Sequence, residues 1–351
     1  MDELTISFLR KIYREFYFKH NQKIEFPTKM EEREFGYMLF GGGMVRHLSF
    51  KTSGELIAEL VRQAPSSVYC SNALYFKPSS PMEEKDWKGA ELIFDIDTDS
   101  IPTLCKTRHN RWYCQNCCSK GKLPKPIRCS NCSADNLREI HWVCEECFDL
   151  TKQHVYRLID FLTKDFGISS SDIIVYFSGN QGYHIHVSNE RFKQLDSQAR
   201  LEITNYIRGT GLSINLKLLI SNFSYYAWYM RINRSIASSH AKRDKLINEV
   251  IEKNAALIDQ AVTTDVHRIF RMPGTLHGNS GMFKMKINSL ENFNPEIDPI
   301  VLSDEDVRIK VEYSPQFFMK GNKFGPYTAE MVEMPTYAAV FLCAKDLARL
   351  V

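Results

Sequence analysis

Residues 90–97 read Ala90-Glu91-Leu92-Ile93-Phe94-Asp95-Ile96-Asp97. Leu92, Phe94 and Ile96 alternate with Ile93, Asp95 and Asp97, the period-two pattern of a β-strand. Asp95 and Asp97 then face the same side, with Cα atoms about 6.5 Å apart. Two carboxylates on an otherwise apolar strand repel each other and are costly to bury. Either they are solvated groups ending the strand before a turn, or they share divalent cations, which take oxygen ligands. Enzymes of phosphoryl transfer hold two such ions about 3.5–4 Å apart, with roughly three acidic side chains. The third acid is sought in Leu257-Ile258-Asp259-Gln260-Ala261-Val262-Thr263-Thr264-Asp265. Strand character over 257–264 would place Asp259 after a core-facing apolar pair. Asp265 precedes Val266-His267-Arg268, a helix start where an acid serves as a cap. Asp259 is therefore the expected ligand and Asp265 the expected cap.

The flanking sequence gives this strand its setting. Leu4, Phe8, Leu9, Ile12, Tyr13 and Phe16 recur at helical spacing and predict a helix over 3–19. A glycine turn, 40–44, leads into a strand at 45–50, and a second helix is predicted over 54–63. Beyond the acidic strand, a helix over 147–166 stops at Gly167. The strands 173–177 and 183–188 flank Ser178-Gly179-Asn180-Gln181-Gly182 and predict a hairpin. Residues 191–255 read as mostly helical. Strands are expected at 269–272, before the Pro273-Gly274 turn, and at 282–287. The last fifth of the chain is mixed. The expected fold class is α/β in the mixed, α+β sense.

The chain has 351 residues, 44% hydrophobic and 25% charged, which excludes a disordered or collagen-like polymer. Lys+Arg 45 against Asp+Glu 42 excludes a uniformly basic coat, so a polyanion must meet a local patch. No segment approaches the roughly 18–20 apolar residues of a membrane helix, and the best run, 337–344, is far shorter. Met1-Asp2-Glu3-Leu4 carries charges and no apolar signal region, so the protein is expected to stay where it is made, without a membrane partner.

Eight of the ten cysteines fall between Cys105 and Cys147, which argues for metal ligands over a disulfide framework. Cys114-x2-Cys117 and Cys129-x2-Cys132 have zinc-ribbon spacing. Four thiolates around one Zn²⁺ account for a short polar loop that could not fold alone. Cys144-x2-Cys147, with Cys105 and either His109 or His141, forms a candidate second zinc set. Cys118 is read as spare. One or two zinc ions are thus expected.

Two further groups are suited to an anion. The turn Ser178–Gly182 offers a hydroxyl and backbone amides, and His184 and His186 share one face of the returning strand. Arg268, Arg271 and His277 lie within ten residues, and guanidinium groups bind phosphate bidentately. Arg46 and His47 could join the same pocket. The simpler readings are a hairpin turn with satisfied histidines, and surface ion pairs. A stripe over 208–243 interleaves Arg208, Lys217, Arg231, Arg234, Lys242 and Arg243 with Tyr225, Tyr226, Trp228 and Tyr229. It fits either a grip on single-stranded nucleic acid or a helix packed by its aromatic face.

Together these blocks resemble the catalytic (small) subunit of archaeal and eukaryotic DNA primases, the archaeal members more closely. The resemblance runs from about Arg33 to Gly281. It is carried by Val45-Arg46-His47-Leu48-Ser49-Phe50, by Met82-Glu83-Glu84-Lys85 through Phe94-Asp95-Ile96-Asp97, by Tyr176-Phe177-Ser178-Gly179 with Gly182-Tyr183-His184, and by Asp259 through Arg271, Pro273 and Leu276-His277-Gly278. It implies a mixed α/β core formed by 1–104, 148–190 and 255–351, with a zinc-binding insertion, 105–147, and a mostly helical insertion, 191–254. The implied reaction is a nucleotidyl transfer that makes short primers on a single-stranded DNA template during replication. Asp95, Asp97 and Asp259 would hold two Mg²⁺ or Mn²⁺ ions. Ser178, Gly179, His184, Arg271 and His277 would contact the nucleoside triphosphate, with Arg46 nearby. A large primase subunit is the implied partner in a heterodimer, and the cytoplasm the implied location for an archaeal-like member. The chain departs from some relatives in having Asn180 and Gln181 within the turn and Asn279 after the His-Gly pair, where they carry positive charge. The competing readings are a primase-polymerase of repair or of a mobile element, and a non-catalytic zinc-ribbon nucleic-acid-binding module.

Overall fold

Two four-stranded antiparallel sheets form the centre of the molecule. In the first, the order is Ile269–Arg271, Ser67–Ser71, Phe35–Met38, Met44–Leu48. In the second it is Met285–Lys286, Ile173–Phe177, Gly182–Val187, Leu92–Asp97. The computed structural model describes residues 1–211 and 240–351. The basic and aromatic stripe lies largely outside the described residues. Of its members only Arg208 has a described side chain, and it donates to the Ile258 carbonyl (3.1 Å).

The acidic strand forms as its alternation predicts: Leu92, Phe94 and Ile96 are buried, and Asp95 and Asp97 point together to the other face. Pairing with the returning hairpin strand sets the register, with His184 opposite Asp95 and Gly182 opposite Asp97. The hairpin expected around Ser178–Gly182 is present, with Ile173–Phe177 and Gly182–Val187 paired throughout.

The N-terminal helix, Glu3–Lys19, is capped by the Asp2 carboxylate, which accepts from the Thr5 amide (2.8 Å). It buries Leu9, Tyr13, Phe16 and Tyr17 in the common core. The helix Ser53–Gln63 also stands where its pattern placed it. The helix expected over 147–166 begins two residues earlier, as Glu145–Asp160, and continues as a π-helical turn, Phe161–Asp165. The apolar run at 337–344 lies within a helix, Thr336–Ala344, almost wholly inside the core. No helix among the described residues is long and apolar enough to cross a membrane.

Two expectations are corrected. Strand character over 257–264 is not realised: Gln260–Thr264 is a short helix with Asp259 as its N-cap. The apolar pair Leu257-Ile258 still packs against the core, but as irregular chain before that cap. The strand expected over 282–287 shrinks to Met285–Lys286, because the preceding residues are taken up by the turn after His277.

On the Glu145–Asp160 helix, His154 is buried, and its Nδ1 accepts from the Leu257 amide (3.2 Å). Burial, reinforced by Arg157, lowers its pKa to about 4. Between about pH 6.5 and 4 the unfolded chain therefore binds a proton that the folded chain refuses. Stability from this group is full above 6.5 and is lost as the pH falls through that window. His154→Asn keeps the acceptor and removes the titration. Urea unfolding at pH 7 and pH 4.5 should show the wild type losing about 2 kcal/mol more than the variant; equal losses would contradict this role.

Candidate active site and metal centres

Asp95, Asp97, Ser178, His184, Arg268, Arg271 and His277 line one cleft of about 230 Å³, with Tyr69, Asn180 and Gln181. The second sheet supplies the acids and His184, and the first supplies Arg271 beside Tyr69. Burial raises the pKa of Asp95, and the charges of Asp97 and Asp259 raise it further. Burial, Asp99 and Asp259 likewise raise Asp97. Asp95 Oδ1 is buried without a hydrogen-bond partner among the described residues, and His184 Nε2 stands 3.5 Å from it. Across the cleft, Arg271 Nη1 is also buried and unpartnered among the described residues. Its guanidinium sits 5.2 Å from the centre of the Tyr69 ring. An orphaned carboxylate oxygen and an orphaned guanidinium nitrogen in one cleft suit, respectively, a divalent cation and an oxyanion.

Asp259 is exposed and does not line this cleft, although Val262, three residues on, does. The Asp259 backbone amide donates to the Asp95 carbonyl (2.9 Å), and its Oδ1 accepts from the amides of Ala261 and Val262. It is thus the helix cap, although its charge still acts on both strand acids. Asp265, expected to cap a helix starting at Val266, instead ends the Gln260–Thr264 helix; no helix starts there, and its Oδ1 accepts from the His267 amide (2.9 Å).

The Ser178 hydroxyl oxygen accepts from the amides of Asn180 (3.4 Å) and Gly182 (3.1 Å), which leaves its own proton to donate. Gly179 has φ +89, and a Cβ there would stand 3.1 Å from His277 Cβ. His277 Nδ1 accepts from the Asn279 amide (3.0 Å), so Nε2 carries the hydrogen. Burial above all holds both His184 and His277 neutral, well below the usual histidine pKa. Arg46 does not line this cleft. On its own strand it donates to the buried Glu34 carboxylate at 3.0 and 3.3 Å.

Gly182 has a direct bearing on the acids: a Cβ there would fall 2.0 Å from Asp97 Oδ1. Gly182→Ala should move that carboxylate and lower the rate of any metal-dependent transfer in this cleft about 100-fold, the cost of a misplacement of about 1 Å. Near-wild-type rates would show that the Asp97 position is not critical.

The cysteines fall into two sets. Cys114, Cys117, Cys129 and Cys132 place their ligand atoms within 4.8 Å of one another, as do Cys105, His109, Cys144 and Cys147. In the first set the Cys114–Cys132 and Cys117–Cys129 sulfurs lie 3.6 and 3.5 Å apart, near the edge of about 3.8 Å of a tetrahedron with Zn–S bonds of about 2.3 Å. In the second, His109 Nδ1 pairs with Asn110 Oδ1 (2.9 Å), which turns Nε2 toward Cys147 Sγ (3.3 Å) as a lone-pair donor. His141 is not in that set; it faces Glu139. Cys118 accepts from the Tyr113 hydroxyl. Both sets could hold zinc.

The DNA primase small subunit family profile matches residues 133–289. The DNA primase small subunit PriS of Nitrosopumilus maritimus is 37% identical over 372 residues, covering 99% of both chains. The chain belongs to the DNA primase small subunit family. The small subunits of Cenarchaeum symbiosum (34% identical, 99% of both chains) and Archaeoglobus fulgidus (31%, 97% of this chain and 98% of that one) are also relatives. The solved polymerase domain of Mycobacterium tuberculosis ligase D in complex with DNA is similar at TM-score 0.37 and 9% identity, over 82% of this chain and 83% of that one.

Sequence reasoning did not single out three neighbours of the cleft in this family member. Tyr69 supports the Arg271 guanidinium. Asp99 accepts from the Gln181 side chain (3.0 Å) and so fastens the hairpin turn to the end of the acidic strand. Lys284 is wholly buried behind His184. Flanked by Phe283 and Met285, a lysine reads as the outward position of a strand, so its burial had no local signal.

Proposed function

We propose that this chain is the catalytic subunit of a DNA primase and that the cleft at Asp95 is where nucleotidyl transfer takes place. The observation that carries this reading is that Asp95 and Arg271 line one cleft, with Asp95 Oδ1 and Arg271 Nη1 both lacking a hydrogen-bond partner among the described residues. Two carboxylates whose pKa values rise when no cation is near are suited to a divalent ion pair, Mg²⁺ or Mn²⁺. Held by these carboxylates, such a pair would supply Lewis-acid activation of the attacking hydroxyl and charge neutralisation of the leaving pyrophosphate. Asp95 and Asp97 hold it from the strand, and Asp259 completes the ligand set from the helix cap. The neutral His184 and His277 rings and the Ser178 hydroxyl donate hydrogen bonds to the triphosphate. Arg268 and Arg271 balance its charge. Because Asp95, Asp97, His184 and Arg271 sit on strands of the two sheets, they are oriented before substrate arrives, which is where most of the rate comes from in phosphoryl transfer.

The cysteine sets are read as two structural zinc sites in the insertion 105–147, with the core in 1–104, 148–190 and 255–351 and a further insertion in 191–254. Membership of a small-subunit family supports a large subunit as partner in a heterodimer, and a single-stranded DNA template with nucleoside triphosphates as substrates. The archaeal relatives support a cytoplasmic location. The test is synthesis on unprimed oligodeoxythymidylate with labelled ATP and Mg²⁺ or Mn²⁺, with and without a large subunit. Labelled oligonucleotides from the wild type and none from Asp259→Ala are expected. No product from the wild type under any of these conditions would refute the reading.

A further inference from the structure

We propose that Lys284 is a positioning residue that fixes the tautomer of His184. Lys284 has no exposed surface. Its Nζ lies 2.9 Å from His184 Nδ1 and 2.7 Å from the Arg271 carbonyl oxygen, and 5.2 Å from the centre of the Tyr176 ring. It makes no ion pair among the described residues. Burial, with Arg271 beside it, lowers its pKa to about 7, so at pH 6 it is an ammonium, with three donors and no acceptor. Its partners here are a carbonyl that can only accept, an aromatic face, and a ring nitrogen that must therefore offer a lone pair. A neutral imidazole carries one hydrogen, so that hydrogen sits on Nε2, the atom 3.5 Å from Asp95 Oδ1.

The main chain of Lys284 is held as firmly as its side chain. Its amide donates to the Thr275 carbonyl (2.9 Å), and its carbonyl accepts from the Gly274 amide (2.8 Å). The ammonium is thus anchored between the Arg271 segment and the strand of His184. At His277 a backbone amide, that of Asn279, achieves the same result by donating to Nδ1. Two imidazoles lining one cleft are fixed alike by different donors, and both present Nε2–H. That form donates to a triphosphate oxygen. The other tautomer would present a bare Nε2, which binds metal ions and gives no hydrogen bond to phosphate. This consequence rests on the proposal that the cleft takes a nucleoside triphosphate; the tautomer itself does not.

The test uses the full chain at pH 6, ¹⁵N-labelled at histidine and free of divalent metal, in a two-bond ¹H–¹⁵N correlation, with His184 assigned from its disappearance in His184→Asn. The expected spectrum has a protonated Nε2 and an unprotonated Nδ1 at His184. A protonated Nδ1 in the wild type would overturn the proposal, and that reading needs no substitution in Lys284. Lys284→Met should then shift His184 toward the other tautomer. It should raise KM for ATP about tenfold, the worth of one hydrogen bond to a charged group, with kcat within about twofold of wild type. In a His184→Asn background Lys284→Met should raise KM no further. An equal rise in both backgrounds would show that Lys284 acts on the fold and not through His184. The spectrum is read without turnover, so a chain that made no primers would remove the functional reading while leaving the tautomer to be decided on its own.

Discussion

Asp95→Asn should make the metal-free protein melt at a higher temperature while lowering primer synthesis at least about 10³-fold. Both effects have one origin. Asp95 is buried beside Asp97, with Asp259 near enough to act on it, and its Oδ1 has no hydrogen-bond partner among the described residues. An uncompensated charge in that position costs on the order of 1–3 kcal/mol, which an amide of the same shape does not incur. In a protein of this size that is worth a few degrees. The sign of the pH dependence follows. A carboxyl whose folded pKa is raised holds a proton that the unfolded chain has already given up, so the metal-free wild type should lose stability as the pH rises from about 4. The advantage of Asp95→Asn should therefore widen from pH 5 to pH 8. Saturating Mg²⁺ or Mn²⁺ should stabilise the wild type more than the variant. Calorimetry at both pH values with and without metal, beside a primer assay, checks every part. A variant that melts lower than wild type at pH 8, or one that still makes primers, would count against this assignment of Asp95.

Removal of zinc should have the other large effect. The ribbon sheet, built from Lys120–Lys122, Arg111–Cys114 and Leu137–Ile140, sends Tyr113 and Ile140 into the main core, but the small core around the four thiols is Trp112, Cys114, Cys129 and Leu137. That is too little apolar surface to hold a fold, whereas structural zinc contributes about 10–16 kcal/mol of apparent binding energy. The wild type should contain two zinc ions per chain by elemental analysis. Cys114→Ser and Cys105→Ser should each contain one, and a strong chelator should open 105–147 to proteolysis. The two losses should differ in consequence. Next to the Cys105 set, the Lys106 ammonium gathers the carbonyls of Thr98 (2.7 Å), Asp99 (3.1 Å) and Ile101 (2.8 Å), immediately after the acidic strand. Cys105→Ser should therefore cost more primer synthesis than Cys114→Ser. The ribbon rests on a C-terminal sheet, ordered Tyr327–Pro335, Asp306–Ser314, Ala348–Leu350, through the Tyr113–Tyr313 stack, and Arg138 pairs with Asp346 just before its last strand. One zinc in the wild type, or equal activity in the two variants, would contradict this.

The acidic strand, the hairpin and the cysteine sets were legible because each depends on short-range spacing. Period two places Asp95 and Asp97 together, and a glycine-bearing turn joins strands that must pair. The ligand pairs lie on C-x2-C repeats, although the choice of His109 over His141 needed the Asn110 contact that orients the ring. The 257–264 segment was misread because Leu257-Ile258 and Val262 look the same in a strand as in a cap followed by a buried helical turn. Only the third dimension shows that the Asp259 amide pairs with Asp95. The apolar run at 337–344 had no periodicity because the helix is buried nearly all round. Arg46 was grouped by type with the arginines expected to bind phosphate, yet Glu34, twelve residues earlier, claims its guanidinium. The burial of Lys284 follows from the crossing of two sheets and has no expression in its neighbours along the chain.

The most direct test of the account is electron paramagnetic resonance of Mn²⁺ bound to the full chain with template and a non-hydrolysable nucleoside triphosphate. The account predicts a spin-coupled pair of ions about 3.5–4 Å apart, reduced to a single uncoupled ion in Asp97→Asn. An uncoupled ion in the wild type, or a coupled pair that survives Asp97→Asn, would contradict it.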